Sequence, residues 1–397
     1  MQVIYAIGSR LAKGGIGEIA YHAVEGIHKN GLLYKVVTLD RAKERIHPEI
    51  LKCHHNVHFP LYRIAWLFPR RRFYLWKNYY FDRVTKHHLT ADAHIFHGWA
   101  CQCLESLKKA KKLGLITFID RASMHVNVSD RLIAEEYEQF GLKKDLPLNY
   151  VRKLSLEEYD LADFVIVPSQ SVYESFLEEG FDEGKLILIP FGVDLETFQP
   201  SKKEDDVFRL AFVGQVGIRK GIHYLLRAWK ELCLKNAELV LVGEVVSDGK
   251  HLFRMHLAED TVKMAGHVSD PQRFYSQSSV FVLPSVEEGS ALVSYEAMAC
   301  GRPIIVTQNV GSVARDGIDG FVIPIRNVEA LKEKILFFYE HPDKITEMGI
   351  NARKRAEQFS WQSYGDNIVQ AYAKAGNAKN SNRLLLSMRS PTTQAMR

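Results

Sequence analysis

The chain has 397 residues, of which 46% are hydrophobic and 25% charged, so it can form two or three domains with sizeable cores. Its formal net charge of +5 does not indicate nucleic-acid binding, although it is compatible with phosphates or lipid headgroups. No apolar run reaches the roughly 20 residues of a membrane-spanning helix, and the amino terminus lacks a signal-peptide pattern. The five cysteines show neither disulfide nor zinc spacing, which is typical of a reducing compartment and predicts a cytoplasmic protein.

Short apolar runs alternate with segments of helical periodicity along the first half of the chain. The runs lie at 3–7, 34–39, 93–97, 115–119 and 164–167. Strands that are apolar throughout are typical of parallel sheets covered by helices on both faces. A second series follows the polar, proline-containing segment 198–206, which is the best linker candidate. Its runs lie at 208–214, 238–243, 280–284 and 303–307.

This pattern predicts an α/β fold with two doubly wound, Rossmann-like domains that face each other across a cleft. We expect a first domain at 1–198 and a second at 199–360. A helix at 361–376 should pack back toward the first domain, and a basic tail at 377–397 should be disordered. Ligands of such sheets bind at the carboxyl ends of the strands, where the candidate residues are found.

The segment after the third strand of the second series is the most informative. Glu288 and Glu296 are separated by seven residues, and a helix is predicted to begin near Ala291, between them. Gly289 and Ser290 permit close backbone approach, so amide groups at the helix start can bind a diphosphate. One carboxylate can then reach a sugar and the other a ribose. Taken alone, the pattern is about equally typical of a helix N-terminus with two solvated acids.

Three weaker features follow other strands. Arg219 and Lys220 are adjacent cations, which could stabilise the charge that develops on a departing diphosphate, although such a pair is also typical of a solvated face. The glycines of Gly14-Gly15-Ile16-Gly17 are common at tight turns in any protein. His97 and His125 each follow a strand, where an imidazole can bind a sugar hydroxyl, yet a lone histidine is more often structural.

Together and in this order, these motifs resemble the family-4 retaining glycosyltransferases of the GT-B fold, over nearly the whole chain. The most specific part is the pair Glu288 and Glu296, followed by Ala297-Met298-Ala299-Cys300-Gly301-Arg302-Pro303. The resemblance implies transfer of a sugar, with retained configuration, from a UDP- or GDP-type donor to a saccharide or lipid-linked acceptor in polysaccharide or glycolipid synthesis. No Asp-x-Asp motif stands at a plausible loop, so we expect no metal and no other cofactor.

The resemblance also implies roles for individual residues. The catalytic residues would be His125, Lys220 and Glu288. The donor-binding residues would be Gly15, Arg219, Lys220, His267, Val268, Glu288, Ser290, Ala291, Leu292 and Glu296. Glu296 would bind the ribose, the backbone at 290–292 would hold the diphosphate, and the loop at 267–268 would bind the base. A common family arginine is replaced by Gln215, which leaves open how many cations hold the diphosphate.

Two alternatives remain at this stage. A nucleotide-sugar epimerase of the same two-domain plan would convert its donor without an acceptor. A catalytically inactive nucleotide-sugar-binding subunit is disfavoured, because Lys220, Glu288 and Glu296 are all present. A dinucleotide oxidoreductase is disfavoured as well, because no Gly-x-Gly-x-x-Gly follows a strand.

The segment 59–83 is rich in aromatic and basic residues. Rings interleaved with cations suit a membrane interface, so this segment could bind an anionic membrane surface at the inner face of the membrane. The equally weighted alternative is that the aromatic rings pack on the first domain while the arginines are solvated.

Overall fold

The computed structural model describes residues 1–41, 46–59, 70–142, 149–247 and 260–389. The strands of these residues are β1 Val3–Leu11, β2 Leu33–Arg41, β3 His54–Asn56, β4 Ile95–Trp99, β5 Ile116–Asp120, β6 Phe164–Val167, β7 Leu186–Leu188, β8 Phe208–Val213, β9 Ala237–Val242, β10 Val262–Gly266, β11 Val280–Leu283, β12 Ile304–Thr307 and β13 Gly320–Ile323. The helices are α1 Gly14–Lys29, α2 Pro48–Lys52, α3 Arg70–Thr85, α4 Leu104–Lys112, α5 Val126–Glu138, α6 Asn149–Leu161, α7 Gln170–Glu178, α8 Ile222–Leu232, α9 Gln272–Ser276, α10 Leu292–Ala299, α11 Val328–Glu340, α12 Pro342–Ala356 and α13 Trp361–Arg389.

The strands form two sheets. The first has seven strands in the order β3-β2-β1-β4-β5-β6-β7, and the second has six in the order β10-β9-β8-β11-β12-β13. All pairings within the second sheet are parallel. In each sheet the first strand in sequence, β1 or β8, is an inner strand. The next two strands in sequence lie on one side of it, and the later strands lie on the other side. This is the doubly wound arrangement that the apolar strands and intervening helices predicted.

The central strands are buried along their whole length, because helices cover both faces. All five residues of β4 and β5 are buried, as are all four residues of β11 and β12. Apolar runs in the sequence therefore located these strands to within a few residues. The short strands β3, β7, β10 and β13 were not predicted. β3 and β10 lack a continuous apolar run, and all four strands contain residues that are at least partly exposed.

Contacts divide the chain into two compact units, which we call unit 1 and unit 2. Unit 1 comprises 1–120, 157–165 and 364–397, and unit 2 comprises 121–156 and 166–363. These units do not follow the predicted boundary at 198. Residues 121–156 belong to unit 2 through buried contacts such as Glu136, whose carboxylate pairs with His223 at 2.7 Å and with Arg326 at 2.7 Å.

From Tyr364 onward, the carboxyl-terminal helix α13 belongs to unit 1. Its Gly365 meets Gly26 of α1 so closely that a Cβ on Gly26 would lie 2.5 Å from the Cα of Gly365. The helix then continues to Arg389, through part of the segment for which the sequence predicted disorder. The reason is that the chain from Asn377 to Arg389 contains no proline or glycine, so nothing in it ends a helix.

Candidate functional site

The candidate site lies at the carboxyl ends of β8 and β11, which are neighbours in the second sheet. The chain leaves these two strands toward different parts of the sheet, and the loops between such strands form a natural crevice for ligands. The two loops are joined by a hydrogen bond from the Val286 amide to the Arg219 carbonyl at 3.0 Å. Gly221 has φ of +66°, and a Cβ there would lie 1.9 Å from the Pro284 carbonyl oxygen, so this position requires glycine.

Two cations from the β8 loop meet one carboxylate from the β11 loop. The Lys220 ammonium pairs with Oε2 of Glu288, and the Arg219 guanidinium reaches the same oxygen at 3.1 Å. Arg219 also donates to the backbone carbonyl of Glu287 at 3.0 Å and lies 3.5 Å from its side-chain carboxyl. The fold thus brings together three of the predicted residues, and it adds the buried Glu287, which the sequence analysis did not single out.

The cations decide the charge state of Glu288. Burial by itself would raise the pKa of this carboxyl, but the charges of Lys220 and Arg219 outweigh burial and lower the pKa to about 2. Glu288 is therefore an anion at neutral pH. Lys220 is buried, whereas the Arg219 side chain is about one-third exposed.

Helix α10 begins directly after this cluster and carries an N-terminus without a side-chain cap. The Ala291 amide, predicted to bind a diphosphate, donates to the Val310 carbonyl at 3.1 Å in this structure. Within the described residues, the amides of Leu292 and Val293 have no hydrogen-bond acceptor. Two consecutive unpaired amides at a helix start can bind an anion, and one of them, that of Leu292, belongs to the predicted set.

The hydroxyl group of Ser290 fixes this residue directly before the helix start. Its Oγ lies 2.9 Å from the Tyr295 hydroxyl and 3.0 Å from the Gly311 carbonyl oxygen. The preceding Gly289 accepts a hydrogen bond from Ser169 at 2.5 Å. A Cβ on Gly289 would lie 1.6 Å from the Ala122 carbonyl oxygen, so no larger residue fits between these backbones.

Glu296 points back from the first turns of α10 and accepts a hydrogen bond from the Tyr275 hydroxyl at 2.6 Å. Burial raises the pKa of Glu296 to about 7, and the Tyr275 hydrogen bond offsets only part of that rise. Unlike Glu288, this carboxyl forms no ion pair within the part of the chain that the structure describes. Tyr275 could not be predicted as a site residue from the sequence, because nothing near it along the chain distinguishes it from an ordinary core tyrosine.

His125 is buried at the start of α5 and caps that helix, with Nδ1 accepting from the Asn127 amide at 3.4 Å. The same nitrogen lies 3.9 Å from a carboxylate oxygen of Glu179. Burial lowers the pKa of His125 to about 4, so the ring is neutral at neutral pH.

The second candidate histidine, His97, is buried in unit 1. Its Nδ1 lies 2.5 Å from the Tyr372 hydroxyl of α13, and its Nε2 lies 3.0 Å from the Asp120 carboxyl of β5. His97 therefore connects α13 to the sheet.

The remaining predicted residues lie at strand ends. His267 is exposed and Val268 half-buried directly after β10, at the carboxyl edge of the second sheet. Gly15 is exposed in the first turn of α1, which follows β1 and has neither a side-chain cap nor an acidic residue in that turn. Gly15 lies in unit 1 and the other predicted residues lie in unit 2.

Two features are absent from the described residues. No group of three or more His, Cys, Asp or Glu side chains in them could hold a metal ion. Among their helices, none is both long enough and apolar enough to cross a bilayer.

Two protein families match the chain in succession. Residues 13–197 match the family described as Glycosyltransferase Family 4, and residues 194–355 match Glycosyl transferases group 1. A curated relative is the capsular polysaccharide biosynthesis glycosyltransferase CapM of Staphylococcus aureus, 28% identical over 52% of this chain and 60% of CapM. Another is the MMP alpha-(1->4)-mannosyltransferase of Mycolicibacterium hassiacum, 28% identical over 54% of each chain. The chain therefore spans little more than half the length of these relatives.

Solved structures resemble the whole fold. Sucrose-phosphate synthase from Thermosynechococcus elongatus has a TM-score of 0.72 at 22% identity, over 95% of this chain and all of that one. Anabaena HepE in complex with UDP has a TM-score of 0.68 at 17% identity, over 94% of this chain and all of HepE. At these identities the likeness establishes the GT-B fold alone.

Proposed function

We propose, because this chain belongs to the family-4 glycosyltransferases of group 1, that it transfers a sugar from a nucleoside-diphosphate sugar with retention of configuration and without a metal ion. The acceptor is a saccharide or a lipid-linked saccharide. The observation that carries the proposal is the meeting of Arg219 and Lys220 at Glu288, directly before the uncapped start of α10. Cations and helix amides converge there as a diphosphate requires.

The chemistry follows from this convergence. The bond between the anomeric carbon and the diphosphate oxygen breaks, and negative charge grows on that oxygen. Lys220, Arg219 and the amides of Leu292 and Val293 stabilise the charge, taking the place that a divalent cation holds in other phosphate sites. The acceptor hydroxyl oxygen bonds to the same face of the anomeric carbon, and its proton passes to the departing diphosphate. The products are a glycoside and a nucleoside diphosphate.

The other residues hold the donor. Glu288 is an anion beside the departing group and accepts hydrogen bonds from sugar hydroxyls. His125 is neutral, so it serves as a hydrogen-bond partner for the sugar and not as a proton donor at neutral pH. Glu296 accepts from the ribose hydroxyls, and the main chain at 267–268 contacts the base.

The test is a screen followed by product analysis. UDP-glucose, GDP-mannose and related donors are compared by thermal shift, since a ligand that binds only the native state raises the melting temperature. Turnover of the selected donor is then measured with and without EDTA, and the anomeric configuration of the product is read by NMR. We expect a retained configuration and EDTA-insensitive turnover. Inversion, loss of activity in EDTA, or isomerisation of the donor without an acceptor would each contradict the proposal.

The charge of Glu296 makes donor binding depend on pH. The ionised carboxylate accepts hydrogen bonds from two ribose hydroxyls more strongly than the protonated acid does, and its pKa of about 7 means that protonation rises as the pH falls. Donor affinity should therefore weaken from pH 8 to pH 6 by up to about tenfold, the fall in the ionised fraction. Isothermal titration with UDP-glucose measures this, because its diphosphate does not titrate in that range. Glu296→Gln should bind more weakly and show a flat profile. A pH dependence that survives Glu296→Gln would assign it to another group.

We also propose that unit 1 binds an anionic membrane surface through α3. The described part of the predicted segment 59–83 begins again at 70, and 60–69 lie outside the described residues. Arg72, Trp76, Tyr79 and Arg83 are exposed at helical spacing along one face of α3, with Trp76 47% and Tyr79 50% exposed. The opposite face is anchored, since Asp82 accepts from the Glu105 and Ser106 amides at the start of α4. Exposed rings flanked by arginines suit the depth of lipid headgroups.

Vesicle sedimentation tests this face. Binding to vesicles with phosphatidylglycerol should exceed binding to neutral vesicles, and Arg72→Gln should weaken it about fivefold, the effect of one cation at an anionic surface. The double variant Trp76→Ser/Tyr79→Ser should bind more weakly still. Tyr150→Ser, which removes an aromatic ring of similar exposure from α6, is the matched control. Equal binding by all variants would rule out this face.

A further inference from the structure

A cavity of about 1050 Å³ lies in unit 2 at the amino-terminal edge of the second sheet, the edge opposite the donor site. Its lining includes Phe208 at the start of β8, Asn236 before β9, Ser279 before β11 and Arg302 before β12. None of these residues belongs to the site at the carboxyl ends of β8 and β11. The volume is that of pockets that bind small molecules.

One wall of the cavity is apolar. Tyr339 of α11 and Ile345 and Ile350 of α12 line it, with Phe208 beside them. Ile350 is 51% exposed, although isoleucine is usually buried. An apolar surface inside a concave site can cover the apolar part of a ligand.

The other wall carries an uncompensated positive charge. Arg302 donates to the carbonyls of Ser278 at 3.1 Å and Ser201 at 2.6 Å, while its buried Nε has no partner. No carboxylate of the described chain pairs with this guanidinium, and burial lowers the pKa of Arg302, which reflects its poor solvation.

Lysines extend the positive charge around the rim. Lys202, Lys235 and Lys354 are exposed, and none of them forms an ion pair within the described residues. The two other cations of the lining are already neutralised, since Lys203 pairs with Asp205 and Arg353 with Glu357. The lining also includes the carboxylate of Asp206, so its cations outnumber its carboxylates and its net charge is positive. A concave site with a net positive charge attracts anions from solution.

We propose that this cavity is a second binding site, for a small anionic molecule that carries an apolar or aromatic group. The anion, a phosphate ester or a carboxylate, pairs with Arg302 and the rim lysines. The apolar group lies on Tyr339, Ile345 and Ile350. This chemistry could come from a soluble metabolite or from a lipid-derived phosphate, and both satisfy the contacts described.

The experiment is isothermal titration of the full chain with octyl phosphate, phenyl phosphate and inorganic phosphate. Octyl or phenyl phosphate should bind saturably and at least about tenfold more tightly than inorganic phosphate, because only they use the apolar wall. Tighter binding of octyl phosphate would indicate a lipid-like ligand, and tighter binding of phenyl phosphate a soluble aromatic one. Equal affinity for all three, or no saturable binding, would overturn the proposal.

Variants locate the binding. Arg302→Gln and the double variant Lys202→Glu/Lys354→Glu should each weaken octyl phosphate binding about tenfold or more. The double variant changes only exposed side chains, so it tests the site even if Arg302→Gln unfolds. Arg227→Gln, an exposed arginine of α8 outside the cavity, is the matched control. Unchanged binding in the double variant would overturn the proposal, as would loss of binding in Lys220→Ala, because that result would place the ligand in the donor site.

Discussion

Replacing Lys220 with alanine is expected to lower the turnover of the donor by about 10²- to 10³-fold, the usual loss when one preorganised charge at a developing anion is removed. The ammonium is buried and fixed by Glu288, so it needs no reorganisation when the diphosphate departs. The loss should fall on kcat more than on KM, because the charge on the departing oxygen is larger in the transition state than in the bound donor. Release of nucleoside diphosphate measures it.

The stability of the variant protein must be preserved for this result to report on chemistry. Arg219 remains beside Glu288 at 3.1 Å, so the buried carboxylate keeps a partner in Lys220→Ala. The melting temperature should therefore change little, whereas kcat falls. Lys230→Ala, an exposed lysine of α8, is the matched control and should keep full activity. An active Lys220→Ala enzyme would remove Lys220 from the catalytic residues.

Replacing Gly289 with alanine is expected to lower the free energy of unfolding more than any other substitution proposed for this protein. The new Cβ would lie 1.6 Å from the Ala122 carbonyl oxygen and 3.0 Å from the Ser123 Cα, so two backbone segments must separate. Side-chain rotation cannot relieve a clash between backbones, and we expect the free energy of unfolding to fall by about 3 kcal/mol or more. The midpoint of urea unfolding, followed by tryptophan fluorescence, measures the change.

Gly15→Ala is the natural comparison for this variant. An added Cβ at Gly15 meets no atom within 4 Å, and the residue is already helical. Its substitution should leave the unfolding free energy unchanged or raise it by up to about 1 kcal/mol, because alanine loses less chain entropy than glycine. Equal midpoints for Gly289→Ala and the unmodified protein would show that the chain does not need the close approach between residues 122 and 289.

The pH dependence, membrane binding and second site depend on features that a local pattern does not contain. Tyr275 touches Glu296 across 21 residues of sequence, and Arg302 lacks a carboxylate only because of where its neighbours fold. Likewise, the exposed face of α3 is known only because Asp82, on the opposite face, is buried against the start of α4. The composition of 59–83 was equally compatible with a packed segment, and only the exposure of Trp76 and Tyr79 distinguishes a free face from a covered one.

The sequence by itself determined the fold class, the positions of the long strands and the placing of Glu288 and Glu296 around a helix start. These follow from interactions between residues close along the chain: apolar runs that must be buried, and glycines that end or open helices. Only the tertiary structure showed that Arg219 and Lys220 pair with the same carboxylate, that of Glu288, which lies at least 68 residues further along the chain. Likewise, only the structure showed that the Ala291 amide donates to the Val310 carbonyl. The physical reason is that β8 and β11 are neighbours in the sheet but distant in sequence, so which charges neutralise one another depends on strand order.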